Sequence, residues 1–242
     1  VLFLLLLSKV GRHLKGLSIL GSTGSVGVQT LDIIRTYPGK FDVIGIAANS
    51  NYETLAQQVH EFSPSLVSCN YFPKIFEESL PKTTKLCPMN EIAKAKDMDM
   101  LVTATTGYAS LIPTFQAIEH GKSIAIANKE SVIMAGQYLI DYARENKASL
   151  FPIDSEPSAI WQCLRGEKSS IHRLIITASG GPFLNTSVKK LSKIKLREAL
   201  NHPVWSMGKK ISIDSATMVN KIFELIEAKN IFDITYDQLS II

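Results

Sequence analysis

The stretch Leu17-Ser18-Ile19-Leu20-Gly21-Ser22-Thr23-Gly24-Ser25-Val26-Gly27 decides the fold of this 242-residue chain. Residues 17–20 are apolar enough for a short buried strand, and helical spacing follows from residue 26 to residue 37, where Pro38-Gly39 ends it. The glycines between strand and helix let the backbone turn tightly, and the helix N-terminus presents free N–H groups to an anion. Because the spacing is GxxGxxG rather than GxGxxG, we predict a variant dinucleotide-binding turn, with a turn needed only for packing as the alternative.

Strands and helices continue to alternate after this turn. Further strands are predicted at residues 41–48, 66–69, 98–103, 122–127 and 150–153, and helices at 53–62, 108–120 and 130–146. Such alternation is typical of βαβ units on a parallel sheet. After residue 153 the pattern changes to a strand at 173–177, an irregular basic stretch, a strand at 211–213 and a helix over 215–228. We therefore predict a nucleotide-binding domain over residues 17–153 and part of a second domain over residues 154–242.

Both ends of the sequence are unusual. The chain begins at Val1 with an apolar run followed by basic residues, but it lacks the basic region and the cleavage site of a secretory signal. We expect residues 1–16 to be a leader outside the fold, either a remnant of a targeting segment or sequence from an imperfect start. The other end, Ser240-Ile241-Ile242, is typical of a strand cut in progress.

The composition is that of a folded protein rather than a disordered chain, with 45% hydrophobic and 20% charged residues. No apolar run is long enough for a membrane-spanning helix. Because 26 Lys and Arg are interspersed with 22 Asp and Glu, we expect neither nucleic acid nor a membrane surface as a partner. The one basic cluster, at residues 189–197, is expected to be a solvated face. The three cysteines are far apart in the sequence. Their number and spacing favour a reducing compartment and argue against a disulfide framework and a zinc site.

The end of the second predicted strand bears on the choice of cofactor. NAD sites usually place an Asp or Glu there to bind the ribose 2′-hydroxyl, whereas this chain has Asn49 and Ser50 and no acid until Glu53. A missing carboxylate removes repulsion of a 2′-phosphate, and Asn and Ser side chains can donate hydrogen bonds to it. NADP is therefore favoured, although no Arg or Lys is present to pair with the phosphate, and a plain polar turn is the alternative.

Carboxylates follow the strand predicted to end at residue 153. Asp154 and Glu156 point the same way if the backbone stays extended, and such a pair is costly unless it is solvated or holds a cation. Glu224 lies on the last predicted helix, on one face with Asn220. Together the three carboxylates would form an oxygen-only site of the kind that selects Mg²⁺ or Mn²⁺. The alternatives are a solvated turn at Asp154 and an ion pair between Glu224 and Lys221.

Possible anion donors and a possible lid lie in the second half of the chain. Ser179-Gly180-Gly181 ends a predicted strand, where α/β enzymes place ligands, and Ser215, Asn220 and Lys221 follow. Ser215 could equally be a plain helix N-cap. The segment His202-Pro203-Val204-Trp205-Ser206-Met207-Gly208 is typical of a loop that covers a pocket and excludes water, with a core-anchoring Trp as the alternative.

Taken together, these segments resemble the 1-deoxy-D-xylulose 5-phosphate reductoisomerase family. The matching stretches occur in the family's order and are LGSTGSVGVQTLDIIR, IANKES, PIDSE, ITASGGPF and HPVWSMGKKISIDSATMVNK, followed by Glu224. The expected fold class is α/β, with a Rossmann-like parallel-sheet domain followed by an α+β catalytic domain that is incomplete at its C-terminus. The resemblance implies NADPH- and Mg²⁺- or Mn²⁺-dependent isomerisation and reduction of 1-deoxy-D-xylulose 5-phosphate to 2-C-methyl-D-erythritol 4-phosphate, in non-mevalonate isoprenoid biosynthesis. It also implies a homodimer at full length, located in a bacterial cytoplasm or in a plastid.

The resemblance further implies roles for individual residues. Cofactor binding would involve Gly21, Ser22, Thr23, Gly24, Ser25, Val26, Gly27, Asn49, Ser50, Asn128, Glu130, Met207 and Gly208. The metal would be held by Asp154, Glu156 and Glu224. The substrate would be bound by Lys129, Ser155, Glu156, Ser179, His202, Trp205, Ser215, Asn220, Lys221 and Glu224. Catalysis would rest on Lys129, Asp154, Glu156, His202 and Glu224.

Two positions depart from the family pattern. Pro157 stands where the family usually has His, and Ile222 stands where it usually has Gly. These departures and the missing C-terminal part favour one alternative, an NADPH-binding but catalytically inactive fragment. A semialdehyde-type dehydrogenase, whose glycine turn is similar, is another alternative. That chemistry requires a catalytic cysteine in a loop, whereas Cys163 lies in a predicted helix.

Overall fold

The first strand begins at Lys15 in the computed structural model, which describes residues 14–205 and 207–242. Strand β1 (Lys15–Leu20) therefore starts two residues before the predicted position. Gly16 is built into the sheet, because its N–H donates to the Asp99 carboxylate at 2.8 Å and a Cβ there would lie 2.0 Å from the Asp97 carbonyl oxygen. The prediction that the leader extends to residue 16 is thus wrong for Lys15 and Gly16, and residues 1–13 lie outside the described residues.

The chain divides into two compact units, of which the first extends to Gln162. Strands and helices alternate through this unit after β1. They are α1 (Ser25–Thr36), β2 (Phe41–Ala48), α2 (Tyr52–Phe62), β3 (Leu66–Cys69), α3 (Lys74–Ser79), β4 (Lys85–Leu86), α4 (Met89–Ala93), β5 (Met100–Thr103), α5 (Leu111–Glu119), β6 (Ser123–Ile126), α6 (Lys129–Glu145), β7 (Leu150–Pro152) and α7 (Ser155–Leu164), whose last turn crosses the division.

The seven strands form one parallel sheet in the order β4-β3-β2-β1-β5-β6-β7. The chain leaves β1 for β2 on one side and returns to β5 on the other, so the strand order reverses between β1 and β5. In open α/β sheets, ligands bind outside the carboxyl ends of the strands at this reversal. The predicted α/β class with a Rossmann-like sheet is confirmed, and the glycine turn lies at its switch point.

The strands are short apolar runs because the sheet is covered on both faces. Leu17, Ile19, Ile46 and Val102 are fully buried, and they belong to the central hydrophobic core of the unit. The bounds predicted for β2 and β3 match the structure. The elements α3, β4 and α4, each of six residues or fewer, were not predicted from the sequence.

The second unit is Cys163–Ile242. Strand β8 (Leu174–Ile176) pairs in parallel with β9 (Leu239–Ile241), so the strand expected near residue 240 is present. Between them lie α8 (Val188–Leu191), α9 (Leu196–Ala199), α10 (Lys209–Ala216), α11 (Val219–Phe232) and a 3₁₀ turn at Tyr236–Gln238.

The strand predicted at residues 211–213 is wrong, because those residues lie inside α10. An Ile-Ser-Ile alternation is too short to distinguish a strand from a helix. In the structure the Ser212 hydroxyl and N–H both donate to the Gly208 carbonyl, at 3.0 and 3.1 Å. The helix predicted over residues 215–228 is broken at Met218, whose φ is +62°, and continues as α11.

The basic cluster at residues 189–197 is exposed, as a solvated face should be. No helix in residues 14–205 and 207–242 combines the length and the apolar character needed to cross a bilayer.

Candidate functional site

The glycine turn after β1 requires its glycines for two different reasons. Gly21 has a φ of +88°, and a Cβ on it would lie 2.4 Å from the Ala104 carbonyl oxygen that follows β5. A Cβ on Gly27 would lie 2.3 Å from the Gly21 carbonyl oxygen, so Gly27 lets α1 approach the turn. Gly24 is the N-cap of α1 and provides no side-chain cap, and the Val28 N–H makes the first helical bond back to it. The first N–H groups of a helix have no partner within the helix, so those of α1 are the candidate donors to an anion.

Ser22 lies inside the turn. It is fully buried, and its hydroxyl donates to the Gln58 side-chain oxygen at 2.7 Å. Gln58 in turn donates from Nε2 to the Ser22 carbonyl oxygen at 3.0 Å. Gln58 was not predicted from the sequence, because no motif or spacing links it to a turn 36 residues away.

The end of β2 is a polar surface without an acid. Asn49 is exposed, and its side-chain oxygen accepts a hydrogen bond from Asn70 Nδ2 at 3.0 Å, while its carbonyl accepts the N–H groups of Asn70 and Tyr71. Ser50 is exposed, and Asn51 caps α2 by accepting the Thr54 N–H. Asn70 reaches this surface from the end of β3, and no motif or spacing in the sequence pointed to it.

A cavity of about 620 Å³ opens beside the turn. It is lined by Gly21, Thr23 and Gly24, by residues 47–49 after β2, by Ser68 and Asn70 at the end of β3, by Met89, and by residues 104–109 after β5. The cavity thus joins the predicted pyrophosphate turn to the predicted 2′-phosphate region. A space of this size, with backbone N–H groups at one end, fits a nucleotide.

Asn128 shapes the cavity without lining it. It is buried at the start of α6, where its side-chain oxygen accepts the Ser131 N–H at 2.8 Å and also the Ser131 hydroxyl. Its Nδ2 donates to the carbonyls of Thr105 and Gly107, at 2.6 and 2.9 Å. Asn128 therefore fixes the cavity-lining loop after β5. The neighbouring Glu130 is half-buried in the first turn of α6.

Lys129 and Asp154 form an ion pair within the first unit. The Lys129 Nζ lies 2.7 Å from Asp154 Oδ2, and the two side chains are 8% and 19% exposed. The backbone does not stay extended after Asp154 as the sequence analysis assumed, because α7 begins at Ser155 and its Ser158 N–H donates to the Asp154 carbonyl. Glu156 lies in the first turn of this helix and accepts the Ser155 hydroxyl at 2.5 Å. Asp154 is thus charge-paired rather than part of a plain solvated turn.

Pro157 is buried in the first turn of α7, where a missing N–H costs nothing because first-turn N–H groups have no helical partner. Ile222 is 51% exposed on α11, so its side chain adds little crowding within the helix. Both departures from the family pattern are therefore compatible with the local backbone.

Within the second unit, α11 brings Asn220, Lys221 and Glu224 together. The Asn220 amide donates to Glu224 Oε1, and the Lys221 Nζ lies 2.6 Å from Glu224 Oε2. Lys221 also donates to the Thr177 carbonyl at the end of β8, at 2.8 Å. Both the predicted shared face of Asn220 and Glu224 and the alternative ion pair with Lys221 are thus present. The convergence of Asp154, Glu156 and Glu224 on one metal ion stays a prediction.

His202 holds Ser179 at the end of β8. Its Nδ1 accepts the N–H groups of Val204 and Trp205, at 3.2 and 3.0 Å, so the ring proton of the neutral imidazole is on Nε2. That Nε2 lies 3.3 Å from the Ser179 hydroxyl oxygen. Because the hydroxyl accepts from the imidazole, its own proton is free to be donated to an anion.

Ser215 lies near the Ser179-Gly180-Gly181 turn, because a Cβ on Gly181 would be 3.0 Å from the Ser215 carbonyl oxygen. The alternative reading of Ser215 as an N-cap is wrong, because Gly208 caps α10 and Met218 caps α11. Trp205 is 61% exposed, so a core-anchoring role is excluded. Met207 is half-buried, and Gly208 has open space around the position of a Cβ.

The cysteines give no support to a cysteine nucleophile. Burial raises the pKa of the Cys69 and Cys87 thiols above its usual range, which lowers their thiolate fraction. Cys163 is exposed on α7 rather than in a loop beside the cavity.

The comparisons with known proteins agree with the sequence resemblance. The model of 1-deoxy-D-xylulose 5-phosphate reductoisomerase matches residues 17–136, and the model of the C-terminal domain of the same enzyme matches residues 150–232. The 1-deoxy-D-xylulose 5-phosphate reductoisomerase of Thermoanaerobacter sp. (strain X514) is 48% identical over 236 residues, which cover 95% of this chain and 62% of that protein. The enzyme of Geobacter metallireducens is 44% identical, with 94% of this chain and 62% of that protein covered.

Two solved structures are also similar. A DOX-P reductoisomerase in complex with NADPH, fosmidomycin and magnesium matches with a TM-score of 0.86 and 39% identity, covering 94% of this chain and 60% of that one. The enzyme from Zymomonas mobilis in complex with NADPH matches with a TM-score of 0.84 and 36% identity, covering 95% and 61%. The chain thus spans about 62% of the length of the curated relatives that it matches.

Proposed function

Because the chain belongs to the 1-deoxy-D-xylulose 5-phosphate reductoisomerase family, we propose that its protein converts 1-deoxy-D-xylulose 5-phosphate to 2-C-methyl-D-erythritol 4-phosphate, with NADPH and a divalent metal ion. The observation that carries the proposal is the glycine turn at the switch point of the sheet. The strand, the turn and the helix that form it all lie within the described residues. In this proposal, bound NADPH supplies the hydride for the reduction and the metal ion supplies Lewis acidity for the rearrangement.

The nucleotide half of the proposal is supported by the shape of the turn. A Cβ on Gly21 or Gly27 would clash with neighbouring backbone, so these glycines let the strand, the turn and the helix pack closely enough to form the turn proposed to receive a pyrophosphate. The free N–H groups of the first turn of α1 would donate to it. Asn49 and Ser50, exposed beside the cavity, would contact a ribose 2′-phosphate, which no carboxylate at this strand end would repel.

The metal half is supported by donor chemistry. Asp154, Glu156 and Glu224 offer only carboxylate oxygens, the donors that Mg²⁺ and Mn²⁺ prefer. Asp154 and Glu224 each lie beside an ammonium group, Lys129 Nζ at 2.7 Å and Lys221 Nζ at 2.6 Å. Solved relatives contain magnesium together with the inhibitor fosmidomycin. These three residues are the proposed ligands.

The substrate phosphate would be bound in the second unit by Ser179, Ser215, Asn220 and Lys221. His202 leaves the Ser179 hydroxyl proton available for donation, and Lys221 brings a positive charge to the end of β8. Lys129 and Ser155 would contact the hydroxyl end of the substrate. Binding energy from the phosphate, which does not react, can then be used at the reacting carbons.

The test is NADPH oxidation by the purified chain with 1-deoxy-D-xylulose 5-phosphate, with and without Mg²⁺ or Mn²⁺. We expect metal-dependent oxidation, which Glu224→Gln lowers at least a hundredfold while NADPH affinity changes less than twofold. The matched control is Glu167→Gln, the same change at an exposed position of the second unit. Oxidation that persists without metal or in Glu224→Gln would refute the metal assignment.

The alternative is an NADPH-binding chain without turnover. NADPH binding without turnover in the same assay would select it. A homodimer at full length and a location in the bacterial cytoplasm belong to the main proposal, and bacterial relatives support the location.

A further inference from the structure

Gln58 is a buried polar side chain with a pair of hydrogen bonds to the glycine turn. It lies on α2, is 5% exposed, and exchanges two hydrogen bonds with Ser22, which is fully buried. Gln58 Nε2 donates to the Ser22 carbonyl at 3.0 Å, and the Ser22 hydroxyl donates to Gln58 Oε1 at 2.7 Å. Both ends of the amide are therefore used, which fixes its orientation.

These two hydrogen bonds join α2 to the glycine turn at Ser22. The Gly21 and Ser22 N–H groups donate to the Ala47 carbonyl, at 2.8 and 2.9 Å, which ties the turn to the end of β2. Gln58 adds a hydrogen bond to the carbonyl oxygen of Ser22. Fixing both the N–H and the carbonyl of Ser22 leaves its peptide groups a single orientation.

The same helix begins at the other end of the candidate nucleotide site. Asn51 caps α2, and Asn49 and Ser50 directly precede it. Gln58 therefore connects, through one helix, the turn proposed for the pyrophosphate and the segment proposed for the 2′-phosphate.

We propose that Gln58 is a positioning residue for NADPH: it holds the glycine turn in the conformation that receives the pyrophosphate, without touching the cofactor. The inference rests on the proposed function, since it requires a nucleotide at this turn. Preorganised donors bind an anion more tightly because the ordering cost is met in the free protein.

The experiment measures NADPH dissociation constants of the whole chain by titration calorimetry. Gln58→Met removes both hydrogen bonds without adding charge, and Gln58→Glu replaces the Nε2 donor with an oxygen that faces the Ser22 carbonyl. Gln57→Met and Gln57→Glu are the matched controls, because Gln57 is the neighbouring, exposed residue of the same helix. We expect the dissociation constant to rise about tenfold in Gln58→Met and further in Gln58→Glu, and to change less than twofold in the controls.

A second ligand separates positioning from general destabilisation. The nucleotide 2′-AMP has the adenine and the 2′-phosphate but no pyrophosphate, so its affinity should change less than twofold in Gln58→Met. Equal weakening of NADPH and 2′-AMP would overturn the proposal, as would a loss of affinity confined to Gln58→Glu, which would assign the effect to charge.

If the Gln58 variants do not fold, Ser22→Ala removes only the hydroxyl donor and should weaken NADPH binding about threefold without weakening 2′-AMP binding. An unchanged NADPH affinity in Ser22→Ala would then overturn the proposal.

NADPH binding by the wild-type chain distinguishes failure of the proposed function from failure of this inference. A wild-type chain that binds no NADPH would overturn the proposed function and this inference with it. If the wild-type chain binds NADPH and the Gln58→Met variant binds it equally tightly, only this inference is overturned.

Discussion

The two units bury different kinds of side chain. In the first unit most buried side chains are apolar, and the core combines strand residues such as Leu17 and Val102 with helix residues such as Leu31 and Leu55. Among residues 163–205 and 207–242, the buried apolar side chains are Leu174, Ile176, Ala228 and Ile234, while the buried polar ones are His202, Ser212, Lys221, Glu224, Glu227 and Asn230. The second unit thus has fewer apolar side chains than polar ones in its interior.

This difference shows which interactions set the geometry of each candidate site. In the first unit the backbone is placed by packing, so glycines decide how closely segments approach. In the second unit side chains are placed by charge and hydrogen bonds, and each depends on its partner, because a buried polar group is costly when its partner is removed. The following substitutions test this contrast, beginning with the largest expected effect.

Gly21→Ala should be the most damaging single change. Its Cβ would have to fit 2.4 Å from the Ala104 carbonyl oxygen at a φ of +88°. We expect the free energy of unfolding in urea to fall by about 3–5 kcal/mol, because strain and crowding add. Gly39→Ala is the control, since its φ of +73° is similar but nothing lies within 4 Å of a Cβ. It should cost about 1 kcal/mol. Equal losses in the two variants would show that crowding at the turn is unimportant.

Lys221→Met tests the charge-paired interior of the second unit. It removes the ammonium group from Glu224, which is 1% exposed, and the donor from the Thr177 carbonyl. We expect the free energy of unfolding to fall by about 3 kcal/mol. Lys189→Met, at an exposed position, should change it by less than about 0.5 kcal/mol.

The double variant Lys221→Met with Glu224→Gln completes this test. Neutralising the carboxylate should recover at least half of the loss, because the unpaired buried charge is then gone. If the double variant is no more stable than Lys221→Met, the loss comes from packing rather than charge.

Sequence reasoning succeeded where the signal is local. The limits of β2 and β3 follow from short apolar runs bounded by turn residues, and the role of Gly21 follows from its place between strand and helix. The capping role of Asn128 could also have been found, because Asn directly before a helix is a strong start signal. The roles of Gln58 and Asn70 could not, because each depends on a partner that is distant in sequence.

The second unit was harder to predict for a physical reason. Its segments have weak apolar periodicity, because much of what it buries is polar. The Ile-Ser-Ile run at residues 211–213 therefore suggested a strand, although it lies in α10. Likewise, the charged residues of α11 suggested either a metal ligand or an ion pair, and Glu224 has a partner in both Asn220 and Lys221. Polar contacts of this kind are decided by tertiary placement rather than by sequence pattern.

The smallest effect on stability is expected for an exposed ion pair of the first unit. Arg35 of α1 and Glu61 of α2 form a two-bond ion pair in the first unit, with distances of 2.5 and 2.6 Å and side chains 40% and 43% exposed. Hydrogen bonding to Arg35 lowers the pKa of the Glu61 carboxyl below its usual value. The pair therefore stabilises the fold above the usual pKa of Glu, and its contribution is lost as the pH falls through the lowered pKa of the folded state.

Because the pair is solvated, we expect Glu61→Gln to lower the free energy of unfolding by only about 0.5 kcal/mol at pH 7. The difference from the wild type should shrink toward zero as urea unfolding is repeated from pH 7 down to the acid limit of the fold. Glu53→Gln, at an exposed position on the same helix, is the control. A loss as large as that of Lys221→Met would mean that exposure does not decide how much a charge pair contributes, since an exposed pair would then matter as much as a buried one.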